Sequence, residues 1–219
     1  MAYSKFADVD AVLQHASTSL KTIESQYNEA LKTKQVPAAL QIEIKNFLQN
    51  LRSALDYVSQ RVPGHGRNYP MCAHPNELSN ATRGASPAAA SILSKWQPFS
   101  HTWLKNFNWL NNEHKHQMLV PQTTTQVETT QAHSAGGSVT WDPGSVRFGP
   151  GVFIEGRPVD VTTQMPAGAI IRKTIWIDFH FDPTGAPAGI STNISVLPFL
   201  RECAAKVPLI VEELETTIP

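Results

Sequence analysis

The chain has 219 residues, 41% of them hydrophobic, which is enough to bury a core without disulfides or metal staples. Lysine plus arginine equals aspartate plus glutamate, 18 each, so no global field attracts nucleic acid or an acidic membrane. The two cysteines, Cys72 and Cys203, have no zinc-like spacing and fit a reducing cytoplasm. The first ten residues lack the apolar stretch of a signal peptide, and no apolar run approaches the ~18 residues that span a bilayer. These features predict a soluble, cytoplasmic protein with no membrane partner.

Two long amphipathic helices are predicted in the first third of the chain. Apolar residues recur three and four positions apart over residues 9–31 and again over residues 44–62. Pro37 suits a helix start, where its missing N–H is not needed, and Pro63-Gly64 ends the second helix. The short link between the two predicts an antiparallel helical hairpin.

Two further helices are predicted after an irregular segment. Ser86-Pro87 has the form of a cap followed by a first helical residue, and this short helix ends near Gln97-Pro98. The next helix covers about residues 100–119.

After Pro121 the composition changes to threonine, valine and glycine, which favours short strands between turns. The predicted strands are Thr123–Thr130, Ser138–Trp141, Ser145–Phe148, Val152–Ile154, Pro158–Thr163 and, most clearly, Ala169–Asp182. A final helix follows Pro198, and its apolar stripe indicates a helical partner. The predicted fold is therefore α+β. An antiparallel bundle of four to five helices over residues 1–120 precedes a β-rich lobe or insertion over 121–195, and a C-terminal helix over 196–219 returns to the bundle.

The densest chemistry lies at the end of the fourth predicted helix, in the run Asn111, Asn112, Glu113, His114, Lys115 and His116. At 100° per residue His114 falls on the apolar stripe, while His116 points about 200° away, so the two cannot chelate one metal from a regular helix. Either imidazole could serve as a general acid or base near neutral pH, with Lys115 holding a phosphate or carboxylate.

The pair Arg52 and Asp56 offers a second explanation of this polar run. The two residues are four apart on the second helix, where such a pair contributes only about 0.2–0.5 kcal/mol at a surface. If the bundle brings them against residues 111–116, a buried polar layer forms, because buried ions must be paired and hydrogen-bonded. His114 would then be a core histidine satisfied by Arg52 or Asp56, with Lys115 at the rim. Such a layer is either an active site or a device that fixes helix register.

A metal site is a weaker hypothesis, because Asp178, His180 and Asp182 alternate on one face of the last predicted strand. Residues two apart on a strand are about 6.6 Å apart along its axis, so one ion would need a ligand from another segment. An ordinary solvated sheet face is the alternative. No metal or other cofactor is therefore assigned, and a metal-dependent hydrolase remains the third hypothesis.

Four short motifs together resemble a widespread family of uncharacterised bacterial proteins: Leu51-Arg52-Ser53-Ala54-Leu55-Asp56-Tyr57, Tyr69-Pro70-Met71, Gln97-Pro98-Phe99 and Leu110-Asn111-Asn112-Glu113-His114-Lys115-His116. More distantly, a helical bundle with such a polar layer resembles the HEPN superfamily. Its nucleases carry an Arg-x4–6-His motif on a late helix. Here Arg67 and His74 have that spacing but lie in the irregular segment, and Arg201 on the last helix is followed by no histidine.

The HEPN resemblance implies an RNA- or nucleotide-acting domain of a bacterial or phage-type protein in a defence or toxin–antitoxin setting. If the chain is an enzyme, the resemblance implies a metal-independent endoribonuclease or a degenerate version of one. A homodimer is a separate partner expectation, which goes with the non-enzymatic alternative. His114 or His116 would deprotonate a ribose 2′-hydroxyl, and Arg52 with Lys115 would stabilise the phosphorane. Asp56, Asn111 and Asn112 complete the expected substrate-binding set. The alternative is a non-enzymatic module for a ligand or a protein, whose polar layer only fixes helix register.

Overall fold

The computed structural model describes residues 2–116, 122–134, 137–141, 149–154, 156–160, 165–166, 170–182 and 184–219. For residues 113–116, 122–134, 137–141, 165–166 and 170–177 it describes the backbone alone. The chain divides into two compact units. Unit 1 contains residues 1–123 and 179–219, and unit 2 contains residues 124–178.

Unit 1 contains the six α-helices of the described residues: α1 (Ala7–Thr33), α2 (Ala38–Gln60), α3 (Leu78–Ala81), α4 (Pro87–Lys95), α5 (Thr102–His116) and α6 (Val196–Glu215). A short 3-10 helix, Pro75–Glu77, precedes α3. Helices α1, α2 and α6 pack against one another, α5 packs on α2 and α6, and α4 packs on α6. The contacts of α1 with α2 across a short link agree with the predicted hairpin.

The apolar stripes that predict the helices form one core. Its largest fully buried side chains on α2 are Leu40, Ile44, Phe47, Leu48, Leu51 and Leu55, and the buried side chains of α6 include Leu200, Val207 and Ile210. Full burial of each such side chain stabilises the fold by roughly 1.5–3 kcal/mol relative to exposure. The stripe of α5 is buried as well, at Trp103, Phe107 and Leu110.

The starts of α4 and α6 both contain a proline in the first turn, and α4 is also capped by a serine. Ser86 caps α4, because its Oγ accepts a hydrogen bond from the Ala89 N–H at 3.2 Å, and Pro87 occupies the first turn. The last helix begins at Val196, not after Pro198 as the sequence predicts. Pro198 lies in the first turn of α6, where a backbone N–H has no intrahelical partner, so proline is accommodated there.

The strands form two small sheets and establish the α+β class. They are β1 (Gln122–Ser134), β2 (Gly137–Trp141), β3 (Phe153–Ile154), β4 (Arg157–Asp160), β5 (Met165–Pro166), β6 (Ile170–Phe181) and β7 (Ile194–Ser195). The first sheet has the order β2-β1-β6-β7 and the second β3-β4-β5. Within unit 2, β1 and β2 pair antiparallel from Thr130 opposite Trp141 to Ser134 opposite Gly137. The predicted strand Ser145–Phe148 lies outside the described residues.

Residues 179–195 belong to unit 1, although the sequence analysis assigns them to the β lobe. The reason is burial of the end of β6 among the helices. Phe179 packs edge-on against Tyr27 of α1 with ring centroids 5.2 Å apart, and its N–H donates to the Tyr27 hydroxyl at 3.0 Å. Phe181 makes a similar contact with Phe199 of α6 at 6.1 Å. Aromatic side chains on the inward face of a strand thus attach it to the helical core.

None of the helices in the described part of the chain is long and apolar enough to cross a membrane.

A buried histidine lies in the turn that follows α2. Gly64 packs so closely on Gly84 that a Cβ added to Gly64 would lie 2.2 Å from the Gly84 carbonyl oxygen. His65, beside this contact, is 5% exposed. Burial lowers the pKa of His65 below its ordinary 6.5, and the charge of Arg67 adds to this effect while nearby carbonyl groups oppose it.

We expect His65 to make the protein less stable in mild acid. Because the folded state lowers the pKa of this imidazole, the unfolded chain binds a proton first as the pH falls. The stability that His65 contributes is therefore complete above pH 6.5 and declines below it, at no more than about 1.4 kcal/mol per pH unit. Urea unfolding at pH 7.5 and 5.5 should give a smaller difference in free energy for His65→Gln than for the parent protein. Equal differences would contradict the assignment.

Candidate ligand site

Arg52 and Asp56 together hold the backbone of Tyr69. On α2, Arg52 Nε donates to Asp56 Oδ2 at 3.2 Å, and its Nη2 lies 3.0 Å from Asp56 Oδ1. The same Nη2 donates to the Tyr69 carbonyl at 2.8 Å, while the Tyr69 N–H donates to Asp56 Oδ1 at 3.0 Å. The two side chains are only 15% and 16% exposed. Their charges are therefore paired in a largely buried environment. Removing one partner there strongly lowers the stability of the fold.

Gln97 holds the next residues of the same segment. Its side chain is fully buried, and its Oε1 accepts the Cys72 N–H at 2.8 Å. Its Nε2 donates to the Pro70 carbonyl at 3.1 Å and to the Leu93 carbonyl at 2.6 Å. One amide side chain thus satisfies three backbone groups that would otherwise be buried without partners.

Segment 69–72 is therefore attached to the helices along its whole length. The Tyr69 hydroxyl adds a bond to the Trp96 carbonyl at 2.6 Å, and burial raises the pKa of this phenol well above its ordinary value. Burial also raises the pKa of the Cys72 thiol, and Glu77 adds to that effect, so Cys72 is not an activated thiolate. Three of the four motifs that carry the resemblance thus meet at one wall, on which Met71 is presented.

Helix α5 presents a polar stripe beside this wall. Asn108 and Trp109 lie three and four residues after Lys105, and Asn112 lies four and three residues after them, so the four share one face of the helix. The opposite face is buried at Leu104 and Phe107. Trp109 is only 7% exposed, and its indole N–H has no hydrogen-bond partner among the described residues. A buried donor without a partner is unusual in a folded protein.

The segment 184–193, which follows β6, is attached to α5 by two side chains. Asn106 is buried, its Nδ2 donates to Ser191 Oγ at 3.0 Å, and its Oδ1 accepts the Ser191 N–H at 3.2 Å. Lys105 Nζ donates to the Ala188 carbonyl at 3.1 Å. Gly189 permits this approach, because a Cβ at that position would lie 2.3 Å from Lys105 Nζ.

The wall that presents Met71, helix α5 and segment 184–193 enclose a pocket with a volume of about 260 Å³. Its lining residues are Met71, Ala73, Pro98, Lys105, Asn108, Trp109, Asn112, Pro187 and Ile190. The walls are mainly apolar, and the polar groups are one ammonium, two amides and one indole. Mainly apolar walls with a few placed polar groups are the usual character of small-molecule sites.

The predicted site residues have different surroundings. Asn112 lines the pocket and is exposed, whereas Asn111 is buried and donates through Nδ2 to the Phe107 carbonyl of its own helix at 2.9 Å. Arg52 and Asp56 contact the Tyr69 backbone as described above. The backbone of α5 continues to His116, but the side chains of His114, Lys115 and His116 lie outside the described residues. The predicted meeting of Arg52 and Asp56 with those three side chains is therefore untested.

Sequence reasoning missed Lys105, Asn108 and Trp109 as site residues. Their signal was present, since a stripe at positions 105, 108, 109 and 112 has helical spacing. The stripe was not chosen because the histidines that follow it on the same helix offered more obvious catalytic groups. The contribution of segment 184–193 had no local signal, because only tertiary contact brings it to α5.

The other candidate groups are not among the residues that line this pocket. Arg67 and His74 are outside the α-helices, and Arg67 Nη1 donates to the Asn80 carbonyl at 3.5 Å. Asp182 accepts from the Thr184 N–H at 2.9 Å and from its hydroxyl at 2.6 Å. Among the described side chains, no group of three or more histidine, cysteine, aspartate or glutamate residues could hold a metal ion.

No protein-family model, no curated protein and no solved structure matches this chain. Its functional assignment therefore depends on the geometry of the pocket and on the motifs of the chain itself.

Proposed function

We propose that the protein binds a nucleotide, either free or as an unpaired nucleotide of RNA, in the pocket on α5. Lys105 supports the proposal first, because it supplies a cation at the pocket while only one of its three N–H groups is used by the Ala188 carbonyl. The remaining N–H groups suit a phosphate, which a lysine binds as a point charge.

The rest of the pocket suits a flat, weakly polar base. Met71, Pro98, Pro187 and Ile190 offer apolar surface. Asn108 and Asn112 are one helical turn apart and each has both a donor and an acceptor, which is what hydrogen bonding to a base edge requires. The ring of Trp109, which also lines the pocket, adds apolar surface.

Binding at this pocket does not require a generally basic surface. The balance of 18 basic and 18 acidic residues provides no long-range attraction for a polyanion. A local pocket with one lysine instead favours a single nucleotide over a long phosphate backbone. In this proposal Arg52 and Asp56 position the Met71 wall and do not contact the phosphate, because their described hydrogen bonds go to Tyr69 and to each other.

The HEPN-like ribonuclease remains the second candidate. One observation favours it: α5 continues unbroken past Asn112, so His116 follows one turn later on the helix that lines the pocket. In that case His114 or His116 is the base, and the pocket holds the nucleotide beside the cleaved bond.

Calorimetric titration tests the proposal. We expect a nucleoside monophosphate to bind with a dissociation constant on the order of 10–100 µM, and the nucleoside that lacks the phosphate to bind roughly tenfold more weakly. The four common monophosphates and a short single-stranded RNA should be compared under the same salt. A stronger signal for the RNA assigns the site to an unpaired nucleotide in a strand. The proposal is wrong if none of these ligands binds at 1 mM.

An assay of RNA cleavage separates binding from catalysis. Incubation of the RNA with the parent protein, His114→Ala and His116→Ala should be followed by analysis of product ends. Cleavage by the parent protein that disappears in either variant would establish the ribonuclease hypothesis. Binding without cleavage would leave the protein as a nucleotide-binding module.

A further inference from the structure

A tight turn at residues 187–190 forms the part of the pocket that segment 184–193 contributes. Its first and last residues, Pro187 and Ile190, line the pocket. The Ile190 N–H donates to the Pro187 carbonyl at 3.3 Å, and Gly189 has a φ of 84°, as the third position of a type II turn requires. The Ile190 side chain also packs against the helical core. This wall of the pocket is therefore a defined turn.

Two neighbouring residues of α5 hold the turn at different points. Lys105 lines the pocket, and its Nζ donates to the Ala188 carbonyl, in the centre of the turn, at 3.1 Å. Asn106 is not among the lining residues, and its side chain bonds to Ser191, which directly follows the turn. Successive residues of a helix are rotated by about 100°, so the two side chains leave α5 in different directions.

The Asn106 amide has one orientation that satisfies both of its contacts. Its Oδ1 accepts the Ser191 N–H at 3.2 Å, which leaves Nδ2 to donate to Ser191 Oγ at 3.0 Å. The reverse orientation would place two donors against each other at the Ser191 N–H. Asn106 is only 5% exposed, so little water competes for these bonds. They fix Ser191, and with it the end of the turn, relative to α5.

The position of the Ala188 carbonyl determines how Lys105 presents its charge. The lysine ammonium lies at the end of a flexible four-carbon stem, and its bond to this carbonyl selects one arrangement of that stem. The other two N–H groups then point in fixed directions and can bind a phosphate. A shift of Ser191, three residues after Ala188, would move the carbonyl that orients the ammonium.

We infer that Asn106 is a positioning residue of the pocket on α5. Through Ser191 it fixes the turn, and through the Ala188 carbonyl it orients Lys105 toward the phosphate of a bound nucleotide. This inference rests on the proposed nucleotide site and adds to it a residue that does not line the pocket. Loss of Asn106 should therefore reduce the contribution of the phosphate to affinity more than that of the nucleoside.

Calorimetric titration of Asn106→Ala with a nucleoside monophosphate and with the nucleoside tests this difference. Relative to the parent protein, we expect affinity about fivefold to tenfold weaker for the monophosphate and at most about twofold weaker for the nucleoside. Ser191→Ala removes one of the two bonds and should weaken the monophosphate about twofold to fourfold, whereas Ser191→Thr keeps the hydroxyl and should retain the parent affinity. Equal factors for the two ligands in Asn106→Ala, or unchanged affinities, overturn the inference.

Two controls separate position from stability. Ser86→Ala removes the cap of α4 and lowers stability, but it should leave both affinities unchanged. In a Lys105→Met background, Asn106→Ala should weaken the monophosphate by only about twofold, because the ammonium that it orients is already absent. A further loss of about fivefold or more in that background contradicts action through Lys105.

Amide hydrogen exchange, followed by nuclear magnetic resonance, tests the turn without a nucleotide. The Ile190 N–H should exchange about tenfold faster in Asn106→Ala than in the parent protein, because the turn has lost its attachment at Ser191. An unchanged exchange rate overturns the inference whatever the ligand. If no nucleotide binds the parent protein, the proposed function is wrong, and faster exchange of Ile190 then still supports Asn106 as the residue that positions the turn.

Discussion

Replacing Asp56 with alanine is expected to lower the free energy of unfolding by about 2–3 kcal/mol, because it leaves the Arg52 guanidinium without its carboxylate in a largely buried position. It also leaves the Tyr69 N–H without an acceptor. For a chain of this length the loss corresponds to a decrease in Tm of about 5–10 °C, which calorimetry would measure. Asp56→Asn keeps an acceptor for Tyr69 and removes only the charge, so its effect should be intermediate.

A matched control for this prediction is the exposed pair of Lys32 and Glu29 on α1. These side chains are 72% and 67% exposed, and their charges lie 2.8 Å apart. Glu29→Ala should change stability by less than about 0.5 kcal/mol, because solvent screens such pairs. If Asp56→Ala were as mild as Glu29→Ala, the contacts with Tyr69 would not be important for stability. If Asp56→Ala instead abolished nucleotide binding at full stability, Asp56 would be a direct ligand contact.

Replacing Lys105 with methionine is expected to weaken nucleotide binding about tenfold to a hundredfold. The variant removes one charge-assisted hydrogen bond, of about 1.5–3 kcal/mol, and keeps most of the apolar stem. Calorimetric titration with a nucleoside monophosphate would measure the change. The nucleoside without phosphate should bind the variant and the parent protein equally, because it makes no contact with the ammonium.

Two further variants test whether the position of Lys105 matters as well as its charge. Gly189→Ala would place a methyl group 2.3 Å from Lys105 Nζ and displace the ammonium while keeping it in the chain. It should weaken binding, though less than Lys105→Met does. Lys21→Met, at an exposed position on α1, changes the net charge equally and should leave affinity unchanged. Equal affinities of Lys105→Met and Lys21→Met would contradict the proposed site.

The helical part of the fold was predictable because its signals are local. The stripes of α1, α2 and α6 have the period of an amphipathic helix over five or more turns, and Ser86-Pro87 is an N-terminal signal within one turn. The start of α6 was placed three residues too late, because Pro198 was interpreted as a boundary and not as a first-turn residue. The end of β6 was assigned to the lobe because its alternation identifies a strand but not the core against which the strand packs.

The candidate site was predictable only in part. Asn112 was named, and α5 was recognised as the helix with the most chemistry. Arg52 and Asp56 were expected to bind substrate, since an i,i+4 ion pair on a helix does not reveal which backbone it will contact. The Tyr69 carbonyl is 17 residues away from Arg52 in sequence and reaches it through an irregular segment. No periodicity in the sequence encodes that contact.

The sequence by itself determined which residues form helices, because hydrophobic period, caps and prolines act within a few residues of one another. It also determined that no net charge attracts a polyanion, since charge balance is a property of composition. Only the tertiary structure decided that Gln97, Arg52 and Asp56 fix the wall that presents Met71 and that segment 184–193 closes the pocket beside Lys105. These contacts join residues up to 85 positions apart, as between Asn106 and Ser191, and depend on how the helices pack. The physical reason is that burial selects partners by position in space, whereas the sequence pattern reports only the side of an element that is buried.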